Sequence, residues 1–172
     1  GLGYAGFDAW FDHQMGLAPS LHRPSLAQLG QQVSQEERLE RWWRLAIQGP
    51  DQLRQRVAFA LSEIFVISDN NDTLFNMPLE MAEFQDILVR NAFGNWRQLL
   101  EEVTLTPAMG VYLSMLGNQK PDPVMNIRPD ENFAREVLQL FSIGLVALHP
   151  DGTEVQDAFG QPIPTYDQAV VE

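Results

Sequence analysis

The chain contains no cysteine. That excludes disulfides, thiolate metal sites and a cysteine nucleophile. Basic residues are scarce: 11 Lys and Arg stand against 23 Asp and Glu, a formal net charge of -12 over 172 residues. Affinity for nucleic acid comes mainly from neutralising phosphates with Lys and Arg, so the composition argues against DNA or RNA as a partner. An anionic membrane surface is disfavoured for the same reason. No run of about 18 apolar residues occurs, so no membrane span is expected. The phosphate-cradling patterns G-x-x-x-x-G-K-[ST] and G-x-G-x-x-G are missing, as is the G-x-S-x-G elbow of α/β-hydrolases. His13, His22 and His149 are scattered, without the H-x-x-x-H or E-x-x-H spacing of zinc or di-iron sites.

What is present is the make-up of a folded protein, 45% hydrophobic and 20% charged. The length suits a single helical domain over residues 1–172. The opening Gly1-Leu2-Gly3 carries no initiator Met and no signal peptide. Near the other end, Thr165-Tyr166-Asp167-Gln168 has the T-x-x-Q form of a capping box and announces a helix just before the sequence stops. Both ends predict an excerpt of a longer protein.

Helix signals dominate between them. Tyr4 to Met15 reads as helical, and Pro19 to Pro24 as a connector. Ser34 with Glu37 forms a capping box ahead of Leu39, Trp42, Trp43, Leu45 and Ala46, with Gly49-Pro50 as a stop. Asp51 is placed to cap the next helix, through Val57, Ala58, Leu61, Ile64 and Phe65. The polar stretch 68–73 reads as a loop. Pro78 opens a helix towards Phe93 that Gly94 ends. Asn95 caps a short one, and Thr106-Pro107 starts another that runs through Leu116. Gln119 to Pro129 holds three prolines and reads as loop. A helix from Asp130 to Ile143 follows. Leu145 to Val155 reads as a β-hairpin about Pro150-Asp151-Gly152. The sum is a mainly α fold: a compact, irregular array of six or seven short helices with one small hairpin near the C-terminus.

The best site candidate is the stretch 127–144. Asp130, Glu131, Arg135 and Glu136 crowd two turns beside the apolar run Val137, Leu138, Leu140, Phe141, Ile143. Such charges are costly there unless they pair or do chemistry. Glu131 and Arg135 stand i, i+4, the favourable order for a helical ion pair. Glu131 and Glu136 diverge by about 140° around the axis, so each needs a partner from elsewhere. Glu63, Glu101 and Glu102 are the available acids, and Arg54, Arg56 and Arg90 the available bases. Salt bridging between helices is the plain role for such a margin. Paired carboxylates across a cleft, with Glu131 or Glu136 as general acid, would serve glycoside hydrolysis. No cofactor motif is present; a carboxylate site here would take calcium or magnesium. Asp69-Asn70-Asn71-Asp72 with Glu80 is a poor calcium loop, since Leu74 stands where glycine is required. Trp42, Trp43 and Trp96 are expected in the core at their helical spacing with leucines, and would stack on sugar rings if exposed.

Four blocks carry a family resemblance: RVAFALSEIFVIS (56–68), NAFGNWRQLLEEVTLTPAMGVYLSMLGN (91–118), RPDENFAREVLQLFSIGL (128–145) and PDGTEVQDAFGQPIPTYDQA (150–169). In this order they resemble the bacterial family called domain of unknown function 1800. The resemblance covers most of the chain. It implies a mainly helical fold, longer members whose further helical portion would pack on this one, and an extracytoplasmic (periplasmic or secreted) setting in bacteria that degrade polymers. The family's E-N-[FY]-A-R-E block falls on Glu131 to Glu136 and brings no assigned role. The function expected is therefore a non-catalytic binding or accessory role in polymer use or at the envelope, with polysaccharide as partner. A carboxylate glycoside hydrolase and a calcium or magnesium module are the alternatives.

Overall fold

The computed structural model describes residues 3, 5–30 and 33–171. The chain is mainly helical, 51% helix against 5% strand, and divides into two compact units, Gly1–Tyr112 and Leu113–Glu172.

The first unit holds α1 (Phe7–Gly16), α2 (Arg23–Ala27), α3 (Gln35–Gln48), α4 (Gln52–Ser62), α5 (Asp72–Phe75), α6 (Pro78–Arg90), α7 (Trp96–Thr104) and α8 (Pro107–Tyr112). Its centre is α6, which packs against α2, α3, α4, α5, α7 and α8. Met81, Ala82, Phe84, Ile87, Leu88 and Val89 of α6 are all buried, as expected of a helix that is apolar over most of its surface. Phe65, Leu74, Leu99, Val103 and Met109 close the core around it.

Local signals place several helix boundaries as expected. Ser34 and Glu37 make the full capping box of α3. Asn95 accepts from the backbone N–H groups of Arg97 and Gln98. Gly49 closes α3 at a point where a Cβ would stand 2.6 Å from the Leu45 carbonyl oxygen, so only glycine fits. Other expectations are corrected. The predicted connector, Pro19 to Pro24, runs into α2, with Pro24 in its first turn. The predicted loop 68–73 runs into α5, capped by Asn71. Asp51 makes no capping bond to α4. The first helix begins at Phe7, and Tyr4 lies outside the described residues. The helix opened by Pro107 stops at Tyr112 rather than Leu116, and Ser114 beyond it has φ 58°.

The second unit contains α9 (Asn132–Gln139) and α10 (Gln168–Val171). α9 is shorter than the predicted span 130–143. Its end unwinds through a wide turn in which the Gly144 N–H reaches the Leu138 carbonyl at 2.9 Å. Gly144 supplies the positive φ, 75°, that this helix stop needs. The predicted hairpin is realised as isolated antiparallel bridges, Leu148 with Glu154, Val146 with Pro164 and Gln156 with Pro162. Three segments close on one another. Ala147 N–H donates to Ile163, Ile163 to Val155, and Val155 to Ala147, at 2.8, 2.9 and 2.9 Å. The Thr165 box does not form: its hydroxyl donates to the Gly144 carbonyl. Asp167 instead accepts from the Val170 N–H.

Candidate functional site

The predicted cluster sits at the start of α9. Asp130 Oδ1 accepts the Asn132 N–H at 2.8 Å, so Asp130 nucleates the first turn and leaves Glu131 and Arg135 one turn apart. Arg135 Nη2 then meets Glu131 Oε2 at 2.9 Å. Gln168 of α10 donates to the same carboxylate oxygen at 2.8 Å and accepts from Arg135 at 3.3 Å. The three side chains form a polar triangle that ties α10 to α9. Beside it lies a cavity of about 340 Å³ lined by Pro121, Arg128, Pro129, Glu131 and Val171. Glu136 stands apart from the triangle. It is half-buried, and its Oε2 is out of solvent with no hydrogen-bond partner.

Of the acids and bases named as possible partners, Glu101, Glu102, Arg54 and Arg90 are engaged within the first unit. Glu101 lies 3.7 Å from Arg97. Glu102 accepts from Asn91 and Gln98 at 2.9 and 3.0 Å. Arg90 pairs with Glu83 at 2.6 Å. Arg54 donates to the Val89 and Leu17 carbonyls and lies 4.5 Å over the Phe93 ring. Glu63 lines a cavity of about 390 Å³ with Ser62, Phe65, Val66, Ile67, Phe84 and Gln85.

The poor calcium loop resolves into a turn. Asp69 pairs with the buried Arg38 at 2.8 Å. Burial lowers the Arg38 pKa, and the Asp69 charge and hydrogen bond oppose that shift. Asn71 is spent on capping α5. Among the described residues, no three His, Asp or Glu side chains converge as a metal site would require.

A buried polar set in the first unit escapes sequence reasoning. The irregular segment from Leu17 to His22 and the first residue of α2, Arg23, have backbone groups that need partners, and side chains from three helices supply them. Asp51 accepts the Ser20 N–H at 2.8 Å, and Gln55 donates to the Ser20 carbonyl at 3.0 Å. Arg54 and Arg41 reach the Leu17 and Leu21 carbonyls. Asp86 of α6 accepts the N–H groups of His22 and Arg23 at 2.7 and 2.9 Å. Its Oδ1 also meets His22 Nδ1 at 2.7 Å, with both side chains essentially inaccessible. Burial pushes the Asp51 carboxyl up, but the hydrogen bonds from Ser20 and Gln55 outweigh it, so its pKa lies below the ordinary value. The only signal for this set is Asp51 and Asp86 at otherwise core-facing positions.

The tryptophans correct another expectation. α3 buries Gln35, Arg38, Leu45 and Ala46, which turns Leu39, Trp43 and Ile47, each one turn from the next, towards solvent. Trp43 is 57% exposed and Phe59 of α4 is 48% exposed. Trp42, half-buried, lies between them with ring centroids 4.8 Å from Trp43 and 6.0 Å from Phe59. The result is a solvent-facing aromatic ridge across α3 and α4. Trp96 is also exposed, at 42%.

No helix is long and apolar enough to cross a membrane among the described residues. Neither curated proteins nor solved structures give a match to this chain. A family model described as "Protein of unknown function (DUF1800)" matches residues 2–172, and the chain belongs to that family.

Proposed function

We propose that this chain is a polysaccharide-binding, non-catalytic accessory element of an exported bacterial protein, acting in polymer use or at the cell envelope. The observation that carries the reading is the ridge of Trp43, Trp42 and Phe59. Large aromatic faces are normally withdrawn from water, and contiguous exposed ones mark contact surfaces. Sugar rings present flat C–H faces that stack on such side chains while their hydroxyls stay hydrated. The stiffness of two neighbouring helices would hold the ridge in place without a folding cost on binding.

Affinity electrophoresis of the parent and Trp43→Ala through gels containing soluble polysaccharides tests this. The parent is expected to be retarded by at least one glycan. The variant is expected to lose roughly tenfold or more in affinity, the scale of an aromatic anchor at a contact surface. A parent that passes every gel unretarded, or a variant retarded equally, would refute the reading.

A specific observation supports a second reading, a glycoside hydrolase. Glu136 keeps one oxygen out of water without a partner, while Glu131 is paired with Arg135. A carboxyl with an oxygen kept from water and free of partners is available for proton transfer; since Glu131 diverges from it around the helix, the second carboxylate of such a site would come from elsewhere. Saccharide release by the parent and none by a folded Glu136→Gln variant would establish hydrolysis. Release that survives the substitution would remove Glu136 from the chemistry.

A further inference from the structure

We propose that the glycan bound by the aromatic ridge is a polyuronate, read through its carboxylates by Arg56; this rests on the ridge being a polysaccharide site. Arg56 stands i, i+3 from Phe59 on α4, so the two share a face, and both are exposed. Its partner is neutral: Arg56 Nη2 meets Gln52 Oε1 at 3.4 Å. The Gln52 amide is itself anchored on the Gly49 carbonyl at 2.8 Å. The guanidinium is thus steadied from one side and keeps most of its five donors open. Among the described residues no carboxylate lies within ion-pair distance of it.

The neighbouring charges differ in this respect. Arg44, next to Trp43 in sequence, is neutralised by Glu40 at 2.6 Å. Glu63 caps the far end of α4, seven residues beyond Arg56. Among the described residues, one open cation on the face that carries Phe59, beside rings set edge-on and tilted to one another, suits a ligand with one planar anion per sugar. The guanidinium fork matches a carboxylate with two parallel hydrogen bonds. A densely sulfated chain offers more charge per sugar than one cation can match, and its sulfates lack the planar pair of oxygens that fits the fork. Salt at physiological strength screens beyond about 8 Å, so the local cation governs what the ridge accepts.

The test compares binding to polygalacturonate, a neutral β-glucan and dextran sulfate at about 0.15 M salt, for the parent, Arg56→Gln and Trp43→Ala. The parent is expected to bind polygalacturonate roughly fivefold more tightly than the glucan, the size of an exposed charge pair. Arg56→Gln should erase that preference, and Trp43→Ala should weaken binding to polygalacturonate and glucan together. Equal binding of polygalacturonate and glucan by the parent, a preference that survives in Arg56→Gln, or tighter binding of dextran sulfate would each overturn this inference while leaving a polysaccharide site in place. A parent that binds none of the three would overturn both.

Discussion

Glu131 and Glu136 stand five residues apart and meet different surroundings. Glu131 is joined to Arg135 and Gln168, while Glu136 Oε2 has no partner. The spacing alone predicts that they diverge, because the helical period is a property of the backbone. It does not reveal that Gln168 completes the triangle, since that contact joins residues 37 apart. Stability should follow the environments. The Glu131–Arg135 pair leaves side chains 32% and 40% exposed, so Arg135→Ala is expected to cost under about 1 kcal/mol, or roughly 2–4 °C at most. Glu136→Gln replaces an unpartnered carboxylate with a neutral amide of the same shape, and its melting temperature is expected to equal or exceed the parent's. A fall of several degrees in differential scanning calorimetry would contradict this assignment.

At the scale of elements, the legible helices are those whose signals are local. Ser34, Asn95, Pro78 and Gly49 act on backbone groups within a turn of themselves. α2 and α5 escape the sequence pattern because five and four residues are too few for a hydrophobic period to register. Thr165 misleads because its hydroxyl goes to Gly144, 21 residues away. Asp51 misleads in the same manner: its position suggests a helix cap, yet it holds the segment before α2. Removing it in Asp51→Ala leaves the Ser20 N–H without its acceptor and the Gln55 amide with the Ser20 carbonyl alone, at a cost of about 1–3 kcal/mol. The pH dependence has a definite sign. A carboxyl whose folded pKa lies below its unfolded value stabilises the fold above that unfolded value, near about 3.9. The contribution is lost as pH falls through the folded value. Urea titrations at about pH 7 and about pH 3 should therefore show the parent and Asp51→Ala differing more at the higher pH. An equal difference at both would show that the carboxylate charge plays no part.

For the whole molecule, the excess of acid already bounds function at the level of composition: it disfavours nucleic acid and leaves neutral partners or anionic ones met by a local cation. The family assignment agrees with the fold but brings no chemistry. The aromatic ridge is hidden in the sequence because Trp42, Trp43 and the leucines share a helical pattern that ordinarily means core. Only the placement of Gln35 and Arg38 on the buried side of α3 turns Trp43 outward. A polar residue claiming the interior is a tertiary fact that no window of sequence displays. The binding role proposed for this protein therefore turns on whether the exposed face of α3 and α4 holds a glycan. The most direct measurement is the change in tryptophan fluorescence as a soluble polygalacturonate is titrated into the parent and into Trp43→Ala. A saturable change is expected in the parent and should be largely lost in the variant, with both proteins melting alike. A parent that stays flat with polygalacturonate and with a neutral β-glucan alike, or the same saturable curve in both proteins, would contradict a glycan site on this ridge.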